Sequence, residues 1–134
     1  DYHRNDSIKY FDLRKVVGMT SNEFQSICKA CPNLTTLGLG DGERIELDIY
    51  RNVIQWCPQL CKISLNSDDT EIKSVISHQI STILEQCVNL IYVNANNCIN
   101  FNDQCVNTLA EYCHSLQTLL IEDCHRITND AIIN

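Results

Sequence analysis

The chain lacks several features that would place it quickly. No apolar run approaches the ~18 residues of a membrane helix. Its start, Asp1-Tyr2-His3-Arg4-Asn5-Asp6, carries neither an initiator Met nor a signal-peptide pattern. Positive charge is scarce, with ten Lys and Arg against 17 Asp and Glu. A net charge of −7 and a pI of about 4.9 exclude nucleic acid and anionic membrane as expected partners, because phosphates are repelled rather than neutralised. A phosphate-cradling loop is missing, since Gly38-Leu39-Gly40-Asp41-Gly42 has no lysine or second-half glycine in place. No nucleophile, base and orienting group can be assembled, so an enzyme is not expected. Cysteine, by contrast, is plentiful. Nine cysteines, an odd number in 134 residues, argue against a fully paired secreted framework and for a reducing cytoplasm or nucleus.

The cysteines lead to the organisation of the chain. Cys31, Cys57, Cys87 and Cys113 are separated by 26, 30 and 26 residues. Three residues after each stands a leucine: Leu34, Leu60, Leu90 and Leu116. Six residues after come Leu37, Ile63, Val93 and Leu119, and eight after come Leu39, Leu65, Ala95 and Ile121. A fifth unit precedes them, with Asn5 in the cysteine slot and Ile8, Phe11 and Leu13 in the apolar ones. Its second half, Met19–Cys31, matches Phe101–Cys113 without a gap. The repeats run over about 5–30, 31–56, 57–86, 87–112 and 113–134, within a single domain spanning 1–134.

Each unit opens with a short alternating stretch, the pattern of a strand with one buried face. Each closes with apolar residues seven, four and three places before the next cysteine, which share one helical face. These are Phe24/Ile27/Cys28, Tyr50/Val53/Ile54, Ile80/Ile83/Leu84 and Val106/Leu109/Ala110. Thr20 with Glu23 forms a capping box, and Asn102 and Thr128 stand in the matching N-cap slot. A strand and a helix in ~26 residues cannot bury their own apolar face, so neighbours must stack. The expected fold is an α/β solenoid, a right-handed β-α superhelix of about five repeats with parallel strands concave and helices convex. The third unit carries four extra residues, placed in Asn66–Lys73. The last unit stops soon after its helix begins, so the chain is read as part of a longer array.

The stretch Cys113–Ile132 follows C-x-x-L-x-x-L-x-L-x-x-C-x-x-I-T-x-x-A-[IL], and Cys87–Val106 follows it recognisably. In this the chain resembles the cysteine-containing subclass of leucine-rich repeats. Gly42 and Asp68 replace the second cysteine in the second and third units. The subclass is known from F-box/leucine-rich-repeat proteins and the related mitotic-exit-antagonist family. The resemblance implies the substrate-recognition arc of a ubiquitin-ligase receptor, with a Skp-family adaptor reached only through an F-box outside this chain. The alternative it implies is a non-catalytic regulator or scaffold, of mitotic-exit-antagonist or GTPase-regulator type, binding a basic partner.

The register also decides what the cysteines are for. Cys28-Lys29-Ala30-Cys31 has the form of a metal or redox motif, and Cys113-His114 and Cys124-His125 place ligand types side by side. Yet Cys28 fills a helix-core slot, four cysteines are repeat anchors, and Cys98 and Cys124 form a second column. Small, weakly polar thiols suit such buried turns. No metal or cofactor is expected, and Cys61 and Cys105 are left without a slot.

Residues between the apolar strand positions belong to the concave face. They are Tyr10, Asp12 and Arg14; Thr36; Lys62, Ser64 and Asn66; Tyr92, Asn94 and Asn96; and Thr118, Leu120 and Glu122. Tyrosines and adaptable amides make this the expected site for a protein partner of a monomeric arc. Asp41, Glu43, Asp68, Asp69, Glu71 and Asp123 gather in the loops leaving the strands, an expected acidic rim.

Overall fold

The computed structural model describes residues 4–14, 16, 18–39, 47–66 and 77–133. Strands β1 (Tyr10–Asp12), β2 (Thr36–Gly38), β3 (Lys62–Ser64), β4 (Tyr92–Asn94) and β5 (Thr118–Leu120) form one parallel sheet in sequence order. They alternate with helices α1 (Ser21–Ala30), α2 (Leu47–Trp56), α3 (Ser77–Gln86), α4 (Asp103–Tyr112) and α5 (Asn129–Ile133). The repeat register is the sheet register: Phe11, Leu37, Ile63, Val93 and Leu119 pair in one row. Leu37, Ile63 and Val93 are fully buried, whereas Phe11 and Leu119, at the two ends of the ladder, are half-buried.

Each cysteine anchor closes a helix and starts a turn. The N–H groups of Cys31, Cys57, Cys87 and Cys113 donate to Ile27, Val53, Ile83 and Leu109, satisfying the last helical turn. Each anchor's carbonyl then accepts from the leucine three residues on, at 3.1 to 3.3 Å. The thiols of the anchors Cys57 and Cys113, and that of Cys124 in the second cysteine column, reach back to the preceding repeat. Cys113 Sγ donates to Leu84 O at 3.4 Å, Cys57 Sγ to Leu34 O at 3.5 Å, and Cys124 Sγ to Ala95 O at 2.9 Å. A cysteine therefore supplies the bulk of a small apolar side chain together with a weak donor for a buried carbonyl.

The starts of α1 and α4 follow local chemistry. Thr20 Oγ1 accepts from the Glu23 N–H, and Glu23 Oε1 accepts from the Thr20 N–H, the reciprocal capping box its sequence predicts. Asn102 Oδ1 accepts from the Cys105 N–H at 3.1 Å. Thr128, before α5, donates its N–H and hydroxyl to Asp103, and these bonds hold the Asp103 carboxyl below the ordinary carboxylate range.

Two features depart from the periodic reading. In α4, Ala110 is exposed, and the buried set is Cys105, Thr108 and Leu109. The helices stack on one another, so a flank facing the neighbouring helix is buried as well as the face toward the sheet. Cys105 lies against Ser81 of α3, with Sγ 4.0 Å from its hydroxyl. The slot eight places before Cys57, Cys87 and Cys113 accordingly buries Ile49, Gln79 and Cys105, whereas Glu23, in that slot of the first repeat, is exposed; this explains a cysteine the repeat pattern left over. Cys61 also has a slot. Its N–H donates to Thr35 O, and its carbonyl accepts from Ile91 N–H, extending the ladder one residue before the strands.

The second departure is inside α2, where Asn52 leaves helical geometry at φ −123°, ψ 15°. The Gln86 side chain of α3 occupies the break. Its Nε2 donates to Tyr50 O at 2.7 Å, and its Oε1 accepts from Ile54 N–H at 3.5 Å. Those two backbone groups would otherwise bond to each other, so a neighbour's amide replaces one rung of the helix.

Gln79 is less well provided for. It is 6% exposed, and its Oε1 has no hydrogen-bond partner among the described residues. Gln79→Ile, the residue found in the equivalent slot of α2, is expected to raise stability by about 1 kcal/mol. Equilibrium urea unfolding measures this; a loss of stability would show that the amide is satisfied in solution.

Candidate interaction face

The strand residues that point away from the helices share one open face, and the sheet register arranges them in rows. One row holds Tyr10, Thr36, Lys62, Tyr92 and Thr118. The next holds Asp12, Gly38, Ser64, Asn94 and Leu120. Tyr10 is 46% exposed and Lys62 is exposed, while Thr36, Tyr92, Thr118 and Leu120 are half-buried. All thirteen residues expected on this face are within the described structure, in or directly beside the five strands.

Beyond the strand ends the face is held by side-chain bonds between repeats. Arg14 is the main brace. Its Nε and Nη2 donate to the two carboxylate oxygens of Asp12, both at 2.9 Å. Nη1 donates to Asn66 O at 2.9 Å and to Asn66 Oδ1 at 3.3 Å, and Nη2 also donates to Tyr10 Oη at 3.2 Å. A guanidinium has five N–H donors, and these contacts engage all of them. Arg14 thus ties the first repeat to the third. The Arg14 hydrogen bonds hold the Asp12 carboxyl below its ordinary range, against a smaller opposing effect of burial.

The intervening second repeat must stay low for this bridge to pass. Gly38 lies beneath it: a Cβ there would sit 2.6 Å from Asp12 Oδ1 and 3.0 Å from Tyr10 Oη. Close approach of the Asp12 carboxylate, not an unusual φ, favours glycine here: a larger residue would have to displace that side chain.

Farther along, asparagines take over. Asn94 Oδ1 accepts from Asn96 N–H at 3.1 Å, and Asn96 Oδ1 accepts from Glu122 N–H at 2.7 Å. Arg14, Asn66, Asn96 and Glu122 occupy the same slot of the first, third, fourth and fifth repeats, so the repeat spacing already placed them in one column. Gly38, close beside the Asp12 carboxylate and the Tyr10 hydroxyl, is the one strand position whose missing side chain could have signalled a crossing there. Periodicity carried no sign of which side chains bond to one another. These bonds divide the face: Arg14, Asp12 and Asn96 are committed to holding it, while Lys62, Tyr92 and Leu120 present side chains to solvent.

Of the acidic rim, Asp41, Glu43, Asp68, Asp69 and Glu71 lie outside the described residues. Asp123 is exposed, with φ 60°, and Asn97 occupies the same turn position one repeat earlier with φ 63°. Asn and Asp tolerate this left-handed region better than other residues with a Cβ, which accounts for both positions without a partner. Among the described residues no three or more His, Cys, Asp or Glu side chains are grouped to hold a metal ion. No described helix is long and apolar enough to cross a membrane.

Comparison with protein-family models gives no match for the chain, and comparison with curated proteins gives none either.

Proposed function

We propose that this chain is a leucine-rich-repeat arc of the cysteine-containing subclass. Its role is to receive a protein partner on the open, concave face of the sheet. The most specific form of the proposal is the substrate-recognition arc of an F-box-type ubiquitin-ligase receptor. That form rests on the resemblance of Cys113–Ile132 to the subclass motif. The observation carrying the binding reading is the composition and exposure of the face. Tyr10, Lys62, Tyr92, Thr118 and Leu120 stand in register on a rigid ladder, and Arg14, Asn66 and Asn96 brace it across repeats. Tyrosine is a favoured interface anchor, and a surface already held in place loses little conformational freedom on binding.

The test uses Lys62→Ala, Tyr92→Ala and Leu120→Ala combined, none of which is part of the brace. Partners captured by the unaltered chain should be lost by this variant. They should be retained by a control carrying Gln55→Ala on exposed α2 surface. Far-UV circular dichroism checks that both variants keep the fold. Equal capture by the variant and the unaltered chain would move binding off the sheet.

A further inference from the structure

At the middle of the open face, Lys62 and Ser64 of β3 stand beside Tyr92 and Asn94 of β4, with Lys62 in register with Tyr92 and Ser64 with Asn94. Adjacent strands lie about 4.8 Å apart, so these four side chains border one small patch. Lys62 is exposed and the other three are half-buried. Each of the four carries a hydrogen-bond donor. Lys62 is in no ion pair among the described residues, where the pairs are Arg4 with Asp6, Arg14 with Asp12 and Arg51 with Asp48. The Asn94 amide is oriented by its own chain. Its Oδ1 accepts from Asn96 N–H at 3.1 Å, which leaves the Nδ2 hydrogens to donate elsewhere. The Ser64 and Tyr92 hydroxyls have no hydrogen-bond partner among the described residues.

Charge on the face runs against that of the chain. The sequence carries −7, yet the formal charges of the face residues cancel, with Arg14 and Lys62 against Asp12 and Glu122. Asp12 is already held by Arg14 through two bonds of 2.9 Å. Glu122 lies beyond the end of β5, two strands from Lys62. The patch itself thus offers one ammonium and three neutral donors, and no carboxylate. In the free protein water solvates them. A partner that covers the face removes that water, and an ammonium buried without a counter-charge is costly. The partner must therefore bring an acceptor that is also an anion.

We propose that this patch receives an aspartate or glutamate side chain of the partner, an assignment that rests on the concave face being where the partner binds. The carboxylate lies against the Lys62 ammonium and accepts from the donors of Ser64, Tyr92 and Asn94. One ammonium matches the single charge of a carboxylate, whereas phosphate groups are matched by clusters of arginine. The Tyr92 ring and, on the next strand, Leu120 supply apolar contact alongside, so the bound segment carries an apolar residue near its acid. The partner segment is acidic where it meets the sheet.

The test is a selection of random displayed peptides on the immobilised chain. Peptides with Asp or Glu at a fixed position should be enriched. Lys62→Met should weaken a synthetic copy of such a peptide by about tenfold or more, the worth of a charged hydrogen bond. A fresh selection on Lys62→Glu should enrich Lys or Arg in place of the acid. Equal binding of the acidic peptide to Lys62→Met, enrichment of basic peptides on the unaltered chain, or a tenfold gain when phosphoserine replaces the acid would each overturn the carboxylate assignment. Tyr92→Ala combined with Leu120→Ala separates the two ways of failing. Peptides that ignore Lys62 but are lost from this double variant would leave the face as the binding site and remove only the acid. Peptides that ignore all three positions, or a selection that enriches none, would count against the face itself. Far-UV circular dichroism checks that each variant keeps the fold.

Discussion

Ile63→Ala is expected to destabilise the fold by about 2–5 kcal/mol, the range for truncating a fully buried aliphatic side chain to alanine. Ile63 is 0% exposed and is the central member of the row Phe11, Leu37, Ile63, Val93, Leu119. Its removal leaves a gap between two repeats on either side. In a stacked repeat fold, stability is close to a sum of unit and nearest-neighbour contributions, so a defect in the middle weakens two interfaces. Against a total of ~5–15 kcal/mol for a typical domain, such a loss is large. Urea unfolding followed by circular dichroism should show a lower midpoint than for the unaltered chain. Phe11→Ala makes the contrast sharp. Phenylalanine is the larger residue, but Phe11 is half-buried at the end of the ladder, so its truncation should cost less. If Phe11→Ala proved the more damaging, burial in the row would not be what sets the cost.

Arg14→Met should cost about 1–3 kcal/mol, because it keeps much of the side-chain length but removes every donor of the brace. Asp12 would lose its cation, and Asn66 would lose a bond spanning 52 residues of sequence. Solvent limits the cost, since the Asp12 side chain is 37% exposed and screening weakens its ion pair. Gly38→Ala should disturb the same network from beneath, by displacing Asp12. The two changes are therefore expected to be less than additive: once Arg14 is gone, Asp12 can move aside for the new methyl group. Strict additivity in urea unfolding would show that Gly38 and Arg14 act independently.

Acid should act on the same brace, in a direction set by Asp12. Its folded-state pKa is lowered, chiefly by the Arg14 side-chain hydrogen bonds. The stability it contributes is therefore present above the unfolded value of about 3.9 and is lost as pH falls through the folded value. In Arg14→Met this increment of acid sensitivity should be missing. A pH series of unfolding midpoints for the two chains measures it.

The amino-acid order alone determined the architecture. An apolar residue three, six and eight places after each cysteine dictates which side of every strand is buried, and parallel stacking in register follows. The start of α1 was equally local, because Thr20 and Glu23 satisfy each other within one turn. The buried flank of α4 was not legible in this way. Cys105 is buried by α3, a neighbour 24 residues away, and single-helix periodicity holds no information about it. Gln86 in the break of α2 and Arg14 reaching Asn66 are of the same kind. Backbone register repeats and can be read from spacing. Side-chain bonds between repeats depend on reach, rotamer and the empty space above a glycine, and only the packed structure decides those.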